Sequence, residues 1–236
     1  MEEERPEYQR GMVVVAHADD AEWGCSGTVA KWCDQGWEVV YVLCTDGSKG
    51  TDDPELTSPE LVAMREKEQI AAGKILGLKE VVFLGYEDAM LEPTLDVRRD
   101  ITRQIRKHRP DVLICMGPTR SLTGNGYVGH PDHIASGEAA LSAVFPAARD
   151  RLTFPELLDE GLEPHKVKEA WIMDRDHSDM FVDVTDYIDV SIAALKAHAS
   201  QVTPESAEEH MRAWRSRNGE RVGMKYAESF KRFVLD

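Results

Sequence analysis

Four short apolar runs, Gly11 to Ala16, Trp37 to Cys44, Val81 to Leu84 and Asp111 to Met116, punctuate the first half of this chain. Each is rich in β-branched residues and bounded by glycine or polar residues, the pattern of a strand buried on both faces. Between them lie helical stretches with recognisable ends. Thr57-Ser58-Pro59-Glu60 offers a cap followed by proline in the first turn, and Gly77 closes that helix after Leu76. Pro93 to Lys107 is apolar at Leu95, Ile101 and Ile105, and His108-Arg109-Pro110 ends it. Strand and helix in alternation imply right-handed βαβ units on a parallel sheet, an α/β fold.

The C-terminal third is less regular. Lys168 to Met173 and Met180 to Thr185 read as two further strands, with a helix from about Asp186 to Ser200. The tail from Pro204 is charged and weakly periodic, and no element is assigned there. No repeat, low-complexity tract or linker interrupts the chain. One domain over residues 1–236 is expected, with residues 1–10 as a polar extension.

Composition narrows the partners. A net charge of -15 disfavours a nucleic-acid face, which needs clustered lysine and arginine, and equally an anionic membrane surface. Its main service is solubility. Cys25, Cys33, Cys44 and Cys115 form no metal-type pair, and most sit in apolar runs, so a reducing compartment is expected. The acidic, polar N-terminal stretch has no apolar segment long enough for a signal peptide or span. The expected location is the cytoplasm.

Chemistry concentrates at two places. The first strand runs into Ala16-His17-Ala18-Asp19-Asp20, and Gly129-His130-Pro131-Asp132-His133 follows the strand that ends at Met116. Ligands of an open α/β sheet gather at the carboxyl ends of its strands, where both motifs should lie. Pro131 suits the first turn of a helix running to Val144, and residues three apart share a helix face. His130 and His133 can therefore aim into one cleft. Taken singly, the Asp-Asp pair is a turn and the His-Pro-Asp-His string a capped helix start. Together they supply nitrogen and carboxylate donors for a catalytic divalent metal, with a carboxylate to spare. Bound zinc lowers the pKa of water to roughly 7, and a nearby carboxylate can take the proton as that water attacks.

The strings Ala16-His17-Ala18-Asp19-Asp20-Ala21-Glu22 and His130-Pro131-Asp132-His133 resemble the LmbE/PIG-L family of metal-dependent N-acetylglucosaminyl deacetylases. Gly24 to Thr28, the surroundings of Arg65, and Ala194 to Gln201 look like family segments too. The resemblance implies a Rossmann-like, mostly parallel sheet flanked by helices. It also implies that His17, Asp20 and His133 hold zinc, or iron, which the same donors accept. Asp19 is then the general base, His130 stabilises the oxyanion, and Asp132 orients His130. Arg65 and Asp88 match positions that contact substrate in relatives, and Tyr127 lies near the second motif. The implied substrate is a small acetamido sugar or conjugate, and a homo-oligomer is left open. Ala18 replaces a usual proline and Ser26 a usual glycine.

Two rivals remain. A facial triad of His17, Asp19 and His133 would suit a non-haem iron oxygenase, although that chemistry normally sits on an all-β scaffold. A non-catalytic sugar- or nucleotide-binding module would expect a glycine-rich phosphate turn after the first strand, where this chain carries His17, Asp19 and Asp20. Other features have plainer readings. His198 is expected to pack or to support a ligand from behind, Arg98, Arg99, Arg103 and Arg106 to form a solvated helix face, and Trp23 to line the core or a sugar site.

Overall fold

In the computed structural model, which describes residues 8–121, 128–174 and 176–235, the apolar runs form four neighbouring strands of one seven-stranded sheet. Its strands are β1 (Arg10–Val15), β2 (Glu38–Thr45), β3 (Glu80–Tyr86), β4 (Val112–Met116), β5 (Glu169–Met173), β6 (Met180–Asp183) and β7 (Ala227–Val234). The order is β3-β2-β1-β4-β5-β7-β6. The first five of these are parallel, and β7 runs antiparallel to both β5 and β6.

The central strands are apolar without alternation because successive side chains feed two different cores. Met12, Val14, Val40, Val42, Leu113 and Cys115 face one layer, built on α3 (Leu95–His108) and α4 (Pro131–Ser142). Val13, Val15, Val39, Tyr41, Val112 and Ile114 face the other, built on α1 (Asp20–Asp34), α2 (Ser58–Leu76) and later helices. Those later helices are α6 (Ile188–Lys196) and α7 (Pro204–Glu220), whereas the single turn α5 (Glu156–Asp159) lies by α3, with Glu160 at its end paired to Arg103. A separate apolar cluster, Ile188, Ile192, Leu195, Ala207 and Met211, joins α6 to α7. Among the described residues no helix is long and apolar enough to cross a membrane.

The capped ends fall where local chemistry sets them. Thr57 and Glu60 make a reciprocal capping box at the start of α2, and Gly77 ends it in the left-handed conformation. β1 begins at Arg10, inside the stretch expected to be an extension, because the Gln9 and Arg10 amides donate to the Asp111 carboxylate. The charged, weakly periodic tail, which carries no clear sequence signal, forms α7 and β7. Arg106 departs from its expected place as well. It is 2% exposed, with its guanidinium donating to the carbonyls of Ala147, Ala148, Asp150 and Thr153. It is the pin of that loop, not part of a solvated face. Arg103 does face outward, paired with Glu160.

Strand order reverses at β1, which has β2 on one side and β4 on the other. The segments leaving the carboxyl ends of β1 and β4 must diverge there, which opens a crevice between them.

Candidate metal centre

Both motifs meet in that crevice. His17 follows β1, and Asp20 opens α1. His130 is the N-cap of α4, its Nδ1 accepting from the Asp132 amide at 3.2 Å, and His133 stands in the first turn. Helix α4 reaches the strand ends closely because Gly137 has no side chain. A Cβ there would lie 2.5 Å from the Met116 carbonyl oxygen.

Three donors converge. His17 Nδ1 lies 3.3 Å from His133 Nε2 and 3.4 Å from Asp20 Oδ2, and His133 Nε2 lies 3.0 Å from Asp20 Oδ1. Ligand bonds of about 2.0–2.1 Å in a tetrahedral site put donor atoms about 3.3 Å apart. The spacing and the nitrogen–oxygen chemistry of these residues therefore fit a zinc-sized divalent cation. Asp20 is oriented by the His17 amide, which donates to its Oδ2 at 2.8 Å. His130 also lies within reach of this cluster, its ring edge-on to His17 with centroids 4.7 Å apart.

The far nitrogen of His17 is held from behind. Nε2 lies 3.0 Å from Asp88 Oδ1 and 3.2 Å from Asp132 Oδ2. Carboxylates on the remote nitrogen fix the ring and its tautomer, the usual support of a metal-ligating histidine. This differs from the role expected of Asp132, whose carboxylate is 3.9 Å from His130 Nδ1. The Ala89 and Leu91 amides donate to it as well.

Electrostatics follow from burial among these acids. Burial works against a charge on His17, but its hydrogen bonds to Asp132, Asp20 and Asp88 outweigh it and raise the imidazole to about 12. The pull that keeps a proton there is the pull a divalent cation would feel. Burial raises the Asp20 carboxyl, yet His133 and His17 more than reverse this and hold it well below the usual range. Asp19 goes the other way. Burial, then the charge of Asp20, push it up to about 7, with Arg65 opposing. His130 is lowered, first by burial and then by the charge of His17.

Asp20 and Asp19 thus part company, as neighbours on a tight turn can. Asp20 meets both histidines, while Asp19, at φ 80°, turns toward Arg65, 3.9 Å away. The facial triad through Asp19 is not the arrangement observed. Arg65 and Asp88 are 6% and 5% exposed and stand 3.9 Å apart beside the cluster. Arg65 packs against Gly47, where φ is +65° and a Cβ would press on the guanidinium at 3.1 Å. Ser26 bonds back to the Glu22 carbonyl within α1 and leaves the crevice alone. Tyr127 lies outside the described residues.

A cleft of about 420 Å³ opens over the cluster, bordered by Asp20, His130 and His133 at one end. Its walls include Trp23, Trp214, Asn218, Asp174 and His177. Trp23 lines the cleft and also packs against the α6–α7 cluster. Trp214 and Asn218 come from α7, whose charged, weakly periodic sequence carries no local signal of a site. His198 is fully buried, with its Nε2 3.3 Å from Glu22 and no contact to the converging donors.

Comparison with known proteins places this architecture. The family model PIG-L, described as GlcNAc-PI de-N-acetylase, matches residues 12–144, more than half of the chain. The chain belongs to the PIG-L family. Diacetylchitobiose deacetylase of Thermococcus kodakarensis is 34% identical over 232 residues, which cover 97% of this chain and 84% of that one. The 1D-myo-inositol 2-acetamido-2-deoxy-alpha-D-glucopyranoside deacetylase of a Nocardioides species is 28% identical, covering 84% of each. Among solved structures, N,N'-diacetylchitobiose deacetylase from Pyrococcus horikoshii superimposes with a TM-score of 0.89 at 31% identity, over 97% of this chain and 85% of that chain. The PIG-L match contains every residue of the converging cluster.

Proposed function

We propose that this protein is a zinc-dependent deacetylase that hydrolyses the acetamide of an N-acetylated amino sugar or its conjugate. The observation that carries the reading is the convergence of His17 Nδ1, Asp20 and His133 Nε2, with Asp19 next to Asp20 on the same turn. The relatives' names share an acetylated amino sugar as substrate, and aromatic Trp23 and Trp214 with polar Asn218 suit a sugar in the cleft. His17, Asp20 and His133 would hold the zinc, and the same donors accept iron.

Zinc, when bound, supplies the Lewis acidity that ionises water near neutral pH and takes up charge on a carbonyl oxygen. The chain's own groups do the rest. Asp19 takes the proton of the attacking water as its oxygen bonds to the acetyl carbon, a task suited to a base near neutrality. His130 donates a hydrogen bond to the carbonyl oxygen as negative charge develops there. The C–N bond then breaks, and Asp19 returns the proton to the amine, so that acetate and the free amino sugar leave. Arg65 and Asp88, the substrate contacts that the resemblance implies, are engaged instead with the Ala18 carbonyl and His17 and do not border the cleft. Four free cysteines, three of them buried, support a cytoplasmic location.

The test is elemental mass spectrometry with an acetate-release assay on acetylated amino sugars. About one zinc or iron per chain is expected in the wild type, with loss in His133→Ala. Asp19→Ala should keep the metal and lose on the order of 10²–10⁴ in rate. No metal after incubation with zinc would overturn the metal reading, and full turnover by Asp19→Ala would overturn the base.

A further inference from the structure

One peptide unit beside the cluster is gripped on both edges by a single helix face. Arg65 Nη2 donates to the Ala18 carbonyl at 2.9 Å. The Asp19 amide donates to Gln69 Oε1 at 3.2 Å. Arg65 and Gln69 are four apart on α2, so they project from the same side. The Ala18 carbonyl and the Asp19 amide belong to one planar unit. A bond on each edge fixes its rotation and with it the left-handed φ of 80° at Asp19, which aspartate tolerates but does not favour. That backbone setting is what separates Asp19 from Asp20.

Gln69 is locked in turn. Its Nε2 donates to Glu22 Oε1 at 3.0 Å, so the amide presents its oxygen, not its nitrogen, to Asp19. Glu22 Oε2 lies 3.3 Å from His198 Nε2. Gln69, Glu22 and His198 are all fully buried, so water does not compete for these groups. They come from α2, α1 and the segment after α6, three elements that meet behind Asp19.

We infer that Gln69 is a positioning residue for Asp19, oriented by Glu22 and backed by His198. The inference rests on Asp19 being the base of the proposed reaction. A network that only held helices together would move stability; one that aims the base moves turnover while binding stays intact.

The test compares Gln69→Ala, Gln69→Glu and the double swap Glu22→Gln/Gln69→Glu. The single Gln69→Glu sets two carboxylates face to face in a sealed site. The double swap restores a donor opposite each acceptor and keeps an oxygen on the Asp19 amide. Gln69→Ala should lower kcat on the order of 10²-fold, the scale of about 1 Å of misplacement. KM should stay within about twofold and the metal should be retained. Gln69→Glu should fall as well, and the double swap should recover most of the loss. Hydrogen exchange of the Asp19 amide, followed by NMR, should quicken in Gln69→Ala and return toward the wild-type rate in the double swap. Wild-type kcat or unchanged exchange in Gln69→Ala overturns the inference, as does a double swap no better than Gln69→Glu. Should Gln69→Ala fail to fold, the Glu variants decide. Should the wild type release no acetate from any acetylated amino sugar, the deacetylase reading fails, and amide exchange alone decides the clamp.

Discussion

Gly137→Ala tests whether the approach of α4 to the sheet sets the metal site. The new Cβ would lie 2.5 Å from the Met116 carbonyl oxygen, 3.0 Å from its carbon and 3.1 Å from the Gly117 carbonyl carbon. All three are backbone atoms, so no side chain can swing aside. Ordinary contact begins at 3.4 Å, so α4 must retreat by about 0.9 Å. His133 stands one turn earlier on the same face, and its Nε2 is 3.0 Å from Asp20 Oδ1. Two effects on stability compete. Alanine favours a helix over glycine by about 1 kcal/mol, whereas overpacking typically costs about 1–3 kcal/mol. With backbone on both sides of the clash, overpacking should win. Metal affinity, read by competition with a chelating dye, should fall at least about tenfold, and kcat/KM on the order of 10²-fold. A variant that melts higher than wild type and binds zinc equally well would refute the argument.

Two further outcomes are expected. Asp132→Asn removes charge from behind His17 while keeping its shape, and should weaken metal binding by about 10–100-fold in the same dye competition; unchanged affinity would take Asp132 out of that role. Away from the site, Glu169 is 4% exposed. Burial raises its carboxyl, but hydrogen bonds from Arg232 and Trp171 outweigh this and hold it below the usual range. A depressed carboxyl contributes stability above the unfolded-state pKa and loses it as pH falls through the folded value. The melting-temperature gap between wild type and Glu169→Gln should be wide at pH 6 and close below about pH 4; a gap that persists in acid would contradict this.

The parallel core was readable because its strands are apolar on both faces, and α2 because its ends carry local signals. The site was readable because its donors cluster in two short strings at strand ends. What stayed hidden is instructive. The buried residues of α7 are Ala207, Met211, Arg215 and Gly219, a regular spacing of four in which only half the positions look apolar. Arg215 is buried because Glu228 on β7 is there to meet it at 2.9 Å, a partner no local pattern reveals. β7 alternates weakly because it lies between two antiparallel neighbours, with Phe230 inward and Lys231 outward. Arg106 misled for a related reason: it lies on the buried side of α3 with Ile101 and Ile105, and carbonyls from a distant loop satisfy it. In the crevice, the two aspartates of one turn take different partners because α2 holds the peptide between Ala18 and Asp19, a contact between distant segments.

The carboxylate of Glu228 also accepts hydrogen bonds from the Gly27 and Thr28 amides of α1, the latter 200 residues away in sequence. On a ribosome adding about 5–20 residues per second, that partner reaches Thr28 some 10–40 seconds late. All three converging donors have emerged long before. The nascent chain therefore carries a helix whose buried carboxylate is still missing. The Gly27 and Thr28 amides wait on the last strand of the sheet for the carboxylate that meets them.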